Sequence, residues 1–279
     1  MFFISYECGG RLGNSLFPFF LCMLFERLFG YTYTEEESST EICITDYGSS
    51  YFFTEESLLR KQMALPMGNI CFTGFFQYGW IFKYNRKELL EYVQSRPCLI
   101  TMGARNLQNY YPSEYLFRDW LPSVNPTPED IVIHLRLEDN IVDTIQPNSP
   151  KFIFSPDDYD QILSTIQYKT IYWVMKAPEH PIEHKYIAYL LKKWGGIYQA
   201  RTLEEDMCLM RKAHRIVLSR STLSMISSYL TPHDNQVVYM PIKQEDWPHE
   251  QCVPIFPTTY FFPHTKCSLP DLERILGKE

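Results

Sequence analysis

The sequence predicts an α/β protein made of two halves, each a mainly parallel sheet flanked by helices. Three observations predict it. A short strand at the N-terminus runs through a glycine-rich turn into an apolar helix, strands and helices alternate from about residue 130 onward, and a proline-rich segment separates these two stretches. Strands that alternate with helices are typical of parallel sheets, because each parallel connection needs a crossover that is usually helical.

The N-terminal half begins with a predicted strand over residues 1–7. A glycine-rich turn follows over residues 8–15, and then an apolar helix whose predicted end is Gly30. A polar, acidic segment over residues 33–57 is predicted to be mostly loop. The other predicted elements of this half are strands over residues 42–44, 71–76 and 99–102 and a helix over residues 86–94.

Three prolines within seven residues mark the predicted linker, at Pro122, Pro126 and Pro128. We therefore expect one domain over residues 1–125 and a second over residues 126–265. The second domain has predicted strands over residues 130–135, 170–175, 215–218 and 236–240 and predicted helices over residues 156–166, 182–194, 203–213 and 222–230. The predicted helix within residues 266–279 is expected to pack back against the N-terminal domain. Two such halves leave a cleft at the carboxyl ends of their strands.

Composition excludes several classes of protein. With 45% hydrophobic and 21% charged residues, the 279-residue chain can bury a core and is not disordered. Its net charge of −7 argues against nonspecific nucleic-acid or anionic-membrane binding, which needs a cationic surface. The longest apolar run, residues 16–25, has about half the length of a bilayer span. We expect a soluble, cytoplasmic protein with free thiols, no nucleic-acid partner and no membrane insertion.

The glycine-rich turn is the first candidate for a binding site. In the run Gly9-Gly10-Arg11-Leu12-Gly13-Asn14, glycines after a strand allow backbone N–H groups to approach a pyrophosphate, and the next helix offers its positive end. The same glycines would also suit an ordinary tight βα turn. Because the run is not Gly-x-Gly-x-x-Gly, a dinucleotide cofactor is not indicated.

The second candidate follows the strand that begins the C-terminal half. His134 and Arg136 lie two residues apart and so share one face of that strand. Arg136 offers a planar fork for phosphate oxygens, and Asp139 or Asp143 could take a proton from a sugar hydroxyl. In the alternative reading, Arg136 forms a structural ion pair with Glu138 or Asp139, and His134 is simply a core residue.

The third candidate is the segment 219–224, Ser-Arg-Ser-Thr-Leu-Ser, between a predicted strand and a predicted helix. Ser221 or Thr222 is expected to be the N-cap residue of that helix. Hydroxyl and N–H groups at a helix start also suit a phosphate, and the two roles are compatible.

Together these segments resemble the fucosyltransferase superfamily, and most of all the α-1,2-fucosyltransferases. That family has Gly-(Arg)-Leu-Gly-Asn-Gln near its start, His-x-Arg-Arg-x-Asp in mid-chain, and Asp-x-x-x-Met before an Asn-Ser-Ser/Thr-Phe-Ser segment. The counterparts here are residues 10–15, 134–139, 206–210 and 219–224. The resemblance covers most of residues 1–20 and 130–245, whereas residues 31–120 do not align.

The resemblance implies a GT-B fold of two facing Rossmann-like domains. It also implies that a sugar is transferred with inversion, without a metal ion or other cofactor, from a nucleotide-diphosphate sugar to a hydroxyl of a glycan. Arg136 would bind the β-phosphate, His134 would lie near the base or ribose, and Asp206 would recognise a guanine edge. The other donor-binding residues implied are Gly10, Arg11, Gly13, Asn14, Ser221 and Thr222. Asp139 and Asp143 are the candidate catalytic carboxylates beside Arg136.

Three positions depart from the family pattern. Leu137 replaces the second arginine, Ser15 replaces a glutamine, and Arg220 replaces an asparagine and could restore the missing cation. In the family these positions lie near the donor or the acceptor. GDP-fucose is therefore the donor by resemblance, UDP-xylose is an alternative donor, and a non-catalytic nucleotide- or glycan-binding relative is an alternative of another class.

Overall fold

The computed structural model describes residues 2–35, 41–45, 67–77, 79–83, 86–103, 109–144, 153–241, 255–262 and 264–277. The chain divides into two compact units, Met1–Arg118 with Pro248–Ile255 and Asp119–Trp247 with Phe256–Glu279. Each unit contains a parallel sheet with helices, which confirms the predicted fold class. The division follows Arg118, ahead of the boundary expected between residues 125 and 126.

The proline-rich segment lies at this division but belongs to the second unit. Lys212 holds it there: the ammonium forms an ion pair with Asp119 at 2.6 Å and donates to the carbonyl oxygens of Leu121 at 2.7 Å and Val124 at 3.1 Å. The segment therefore packs onto its unit through polar contacts, which is why the compact unit begins before the prolines.

The first unit is built on a four-stranded parallel sheet in the order β2-β1-β4-β3. Its strands are β1 (Phe3–Glu7), β2 (Thr32–Tyr33), β3 (Glu41–Thr45) and β4 (Asn69–Thr73). Its helices are α1 (Leu12–Phe29), α2 (Trp80–Lys83) and α3 (Arg86–Ser95). Two further strands, β5 (Leu99–Met102) and β6 (Asn109–Pro112), pair antiparallel as a separate ribbon.

Helix α1 is the core helix of the first unit. Its apolar side chains are buried as far as Phe25, and it contacts β1 and β5. It ends where predicted, because Gly30 adopts a left-handed conformation (φ 75°) and donates its N–H to the carbonyl of Glu26 at 3.1 Å. Among the described residues, this one helix is long and apolar enough to cross a membrane, and 78% of it is buried inside the protein.

The second unit contains a six-stranded parallel sheet in the order β12-β11-β10-β7-β8-β9. Its strands are β7 (Ile131–His134), β8 (Ile171–Val174), β9 (Ile197–Tyr198), β10 (Arg215–Val217), β11 (Val237–Met240) and β12 (Thr259–Phe261). Its helices are α4 (Glu138–Thr144), α5 (Pro156–Leu163), α6 (Pro181–Trp194), α7 (Leu203–Lys212), α8 (Thr222–Tyr229) and α9 (Leu269–Leu276). The central strand β7 pairs with β8 on one side and β10 on the other.

The C-terminal helix α9 belongs to the second unit, and its packing against the N-terminal domain stays a prediction. It packs on α6, and the Lys185 ammonium donates to the Leu276 carbonyl at 2.9 Å. Its first turn is tied to the start of α5, since Ser155 donates to the Asp271 carboxylate at 3.2 Å. These polar contacts anchor α9 beside α5 and α6.

The seven described cysteines are all free thiols, as predicted. Five of them are buried, whereas Cys43 is exposed and Cys98 is partly exposed. Burial raises the pKa of the Cys22 and Cys267 thiols, the latter to about 12. Both therefore stay protonated and unreactive near neutral pH.

Candidate functional site

Strands β7 and β10 are neighbours in a parallel sheet, so the segments that follow them meet at the same edge. The second and third sequence motifs therefore lie side by side, although they are separated along the chain by α5, α6 and α7. Between them is a small pocket that opens to solvent. The residues that line this pocket are Arg136, Leu137, Asn140, Phe154, Tyr159, Ser219 and Arg220.

His134 is the last residue of β7 and is buried at the base of this edge. Its Nδ1 lies 2.6 Å from the Ser219 hydroxyl oxygen, which makes a hydrogen bond from the second motif to the third. Burial, together with the positive charge of Arg136, lowers the pKa of His134 to about 3. The imidazole is therefore neutral at physiological pH and keeps one N–H donor and one acceptor nitrogen.

Arg136 lies between two carboxylates. Its Nη1 donates to Glu138 Oε1 at 3.1 Å, and its Nη2 donates to Asp139 Oδ1 at 2.6 Å. The Arg136 side chain is 21% exposed, and the residue lines the pocket. The structural ion pair considered from the sequence is therefore present, and it holds the guanidinium at the pocket wall.

The two candidate catalytic carboxylates both belong to α4. Asp139 lies in its first turn, with Oδ1 engaged by Arg136 and the side chain 39% exposed. Asp143 follows one helical turn later and so shares a face of the helix with Asp139. The side chain of Asp143 lies outside the part of the structure that is described.

Helix α8 begins at the same edge of the sheet. Ser221 occupies its N-cap position as predicted, yet among the described residues its hydroxyl makes no capping hydrogen bond. The turn is instead closed by Ser224, whose hydroxyl donates to the carbonyl of Ser221 at 3.0 Å. Thr222 is the first residue of the helix. The predicted N-cap position is therefore confirmed, while the Ser221 hydroxyl forms no capping hydrogen bond to the described residues.

Asp206 lies in the N-terminal half of α7, a helix that packs against α8 and β7. It is not among the residues that line the pocket. Its side chain is buried, and this burial raises the pKa of the carboxyl to about 7, against the opposing effect of the positive charge of Arg201. Within the described part of the chain, Asp206 Oδ1, Arg201 Nε and the Tyr198 hydroxyl are buried without a hydrogen-bond partner. Buried polar atoms without partners are rare, and a ligand is one explanation for them.

The glycine-rich motif belongs to the first unit. Gly10 has a φ of 129°, a conformation that residues with a side chain rarely adopt, so the backbone favours glycine there. Asn14 Oδ1 accepts a hydrogen bond of 3.4 Å from Gln77. Arg11 is the exposed N-cap residue of α1, and Gly13 is buried in its first turn.

Sequence reasoning did not select Ser219 as a site residue, although its contact with His134 joins two motifs. The two residues are 85 positions apart, so no local spacing reveals the pair. The available signal was the alternation of strands and helices, which places the ends of β7 and β10 at one edge if these strands are neighbours.

The chain matches no protein-family model, and no curated protein matches it. Among solved structures, it is similar to a variant of Arabidopsis thaliana FUT1 in complex with GDP, at 12% identity and a TM-score of 0.47, over 94% of this chain and 73% of that chain. It is similar to POFUT1 in complex with GDP, at 11% identity and a TM-score of 0.46, over 94% of this chain and 98% of that chain.

A third similar structure is KpsC of Thermosulfurimonas dismutans, a beta Kdo 2,7 transferase. The identity is 11% and the TM-score 0.32, over 99% of this chain and 89% of that chain. With TM-scores below 0.5, these likenesses assign neither a family nor an activity. The function must therefore be argued from the side chains of this chain.

Proposed function

We propose that this protein is an inverting glycosyltransferase that moves a sugar from a nucleotide-diphosphate sugar to a hydroxyl of a glycan, without a metal ion. The observation that carries the proposal is the pocket at the carboxyl edge of the second unit's sheet, where Arg136 meets Ser219 and Arg220. Two of the three motifs that resemble fucosyltransferases supply these residues. The edge beyond the carboxyl ends of parallel strands is also where α/β proteins commonly bind nucleotides.

The pocket has the charge that a departing nucleoside diphosphate requires. As the bond between the sugar and the phosphate breaks, negative charge accumulates on the diphosphate, and preorganised cations and N–H donors stabilise it. Two arginines, Arg136 and Arg220, line the pocket. Leu137, at the family's second arginine position, is buried in the apolar core, so Arg220 is the residue that supplies the second positive charge.

The ion pair of Arg136 links donor binding to proton transfer. A diphosphate competes with Asp139 for the same guanidinium N–H groups, so its binding would release the Asp139 carboxylate. In the proposed step, the acceptor hydroxyl gives its proton to that carboxylate or to Asp143. Its oxygen then forms the bond to the anomeric carbon while the bond to the diphosphate breaks.

Asp206 favours a guanine nucleotide as the donor. Guanine presents two adjacent N–H groups on one edge, which match a carboxylate, whereas uracil presents one N–H between two carbonyl groups. Asp206 Oδ1, which is buried and has no hydrogen-bond partner among the described residues, suits the former. GDP-fucose is therefore the proposed donor, and UDP-xylose remains the alternative.

The core position of Leu137 favours one further candidate, a relative that binds nucleotide without turnover, because the segment after β7 carries one arginine fewer than the family pattern. The two functions differ in a single observable. An enzyme releases the nucleoside diphosphate from its sugar, whereas a binding protein retains the intact nucleotide sugar.

A thermal-shift titration with GDP, UDP and guanosine, followed by assays of diphosphate release from their sugars, tests the proposal. We expect GDP to raise the melting temperature in a concentration-dependent way, with a stabilisation of about 2.7 kcal/mol at one hundred times Kd. Guanosine, which lacks the diphosphate, is expected to give a much smaller shift. Binding of GDP without release from GDP-sugars would establish the binding protein instead, and failure of all these nucleotides to bind would overturn the proposal.

A further inference from the structure

We propose that Glu183 is a positioning residue that holds the Arg136 segment in place for the donor diphosphate. The inference rests on the proposed function, but its physical basis is a separate set of contacts. Glu183 is the third residue of α6, and its side chain is buried. It touches neither the pocket nor Arg136 directly, so it acts through the backbone between β7 and α4.

The Glu183 carboxylate accepts hydrogen bonds from three backbone N–H groups. One oxygen, Oε2, accepts from Glu179 at 2.6 Å and from His180 at 2.8 Å, both at the start of its own helix. The other oxygen, Oε1, accepts from Glu138 at 2.9 Å, which lies 45 residues away in the chain. A single carboxylate therefore ties the start of α6 to the segment that carries Arg136.

Helix capping alone does not require the bond to Glu138. A capping-box acid needs one hydrogen bond, to the N–H of its N-cap residue. Glu205 of α7 shows this arrangement: it accepts from the Thr202 N–H at 2.9 Å, and it is only partly buried. Glu183 has the same place in α6 but directs its second oxygen to another element. This difference makes Glu205 a matched control.

The bond lies where the backbone needs support. Glu138 has a φ of 32°, in the left-handed region that residues with a side chain rarely adopt. Such conformations persist where the surroundings enforce them. The side chain of this same residue binds Arg136 at 3.1 Å. Glu183 thus fixes the Glu138 backbone, and Glu138 in turn fixes the guanidinium.

Two substitutions separate this role from capping. Glu183→Gln retains one acceptor oxygen and places an amide N–H2 group against backbone donors. It therefore loses either the bond to Glu138 or the bonds to the start of α6. Glu183→Asp keeps the negative charge and two acceptor oxygens at the helix start, where aspartate is also favourable, but is shorter by one methylene and no longer reaches Glu138. Glu183→Asp is therefore the variant expected to fold normally.

The experiment measures GDP affinity by calorimetry, kinetic constants for the GDP-sugar, and amide hydrogen exchange over residues 134–144, for wild type, both variants and Glu205→Gln. At about pH 8.5, where Asp206 is ionised with or without the charge of Glu205, we expect about tenfold weaker GDP binding, a raised KM and faster exchange in both Glu183 variants, with Glu205→Gln unchanged. Loss of a merely structural contact would lower the active fraction, and hence apparent kcat, with Kd and KM unchanged.

If Glu183→Asp bound GDP as tightly as wild type and showed the same amide exchange rates, the positioning role would be overturned, even if Glu183→Gln failed to fold. Failure of the wild-type protein to bind GDP would overturn the proposed function. It would also overturn the inference that Glu183 positions a donor-binding site. Exchange would then report only whether Glu183 anchors the segment. The two failures are therefore distinguishable.

Discussion

Replacement of Arg136 by alanine is expected to lower kcat/KM for the nucleotide sugar at least a hundredfold. Arg136 is the arginine that follows β7 at the pocket wall, and loss of one preorganised charge-stabilising group costs about 10²–10³ in rate. The substitution also leaves the carboxylates of Glu138 and Asp139 without their shared partner. Their negative charge would then repel the incoming diphosphate, so both donor binding and turnover should suffer.

This loss must be separated from unfolding. Arg27→Ala is a suitable control, because its guanidinium forms a partly exposed ion pair with Glu88 in the first unit, at 3.4 Å. We expect this control to retain wild-type kcat/KM, since exposed ion pairs contribute about 0–1 kcal/mol to stability. Steady-state kinetics with melting temperatures for both variants provide the measurement. Full activity in Arg136→Ala, with a normal melting temperature, would remove Arg136 from the site.

Replacement of Asp206 by asparagine is expected to weaken GDP binding about a hundredfold and to stabilise the free protein. Hydrogen bonds to charged groups contribute about 1.5–3 kcal/mol each, and the amide of asparagine would oppose one guanine donor with its own N–H2 group. In the free protein, the buried Asp206 oxygen lacks a partner among the described residues, and ionisation of this carboxyl in a buried site is unfavourable. Asparagine does not ionise, so this penalty disappears.

The stability difference should depend on pH in a defined direction. Burial raises the pKa of Asp206 to about 7, whereas an aspartate in the unfolded chain titrates near 3.9. The folded protein therefore holds this proton more tightly, and the associated stability is fully present below about pH 4 and is lost as the pH rises through 7. Melting temperatures of wild type and Asp206→Asn should diverge over this window, with the variant more stable at the upper end.

The affinity of the wild-type protein for GDP should rise over the same pH range in which its stability falls. The ionised carboxylate is the form that accepts hydrogen bonds from guanine, so affinity should rise as the pH increases through 7, and the Asp206→Asn variant should lack this rise. Calorimetry between pH 5.5 and 8.5 measures it. Parallel melting curves for the two proteins at all pH values would contradict a buried, proton-holding Asp206.

Much of the second unit's fold could be predicted because its elements carry strong local signals. The start of α5 has Ser155 as N-cap and Pro156 at its first position, and the end of α6 is marked by Gly195. Strand β9, by contrast, has two residues and β12 has three, so neither has a periodic pattern that sequence reasoning can detect. These short strands are specified by their pairing partners in the sheet.

The candidate site likewise has features that the sequence reveals and contacts that it does not. The motif around Arg136 and the helix start at Ser221 are visible because each combines a strand end with chemistry-bearing residues. The contacts that organise them are not local: Ser219 binds His134 across 85 residues, and Glu183 binds Glu138 across 45 residues. Glu183 reads in the sequence as an ordinary first-turn acid, because only tertiary structure supplies its second partner.

A crystal structure of the protein with GDP tests the central claim most directly. The predicted result is a diphosphate in the pocket beside Ser219 and Arg220, with a phosphate oxygen within hydrogen-bond distance of the Arg136 guanidinium. The Asp139 carboxylate should then have moved away from Arg136. A diphosphate bound elsewhere, with Arg136 still paired to both Glu138 and Asp139, would contradict the account.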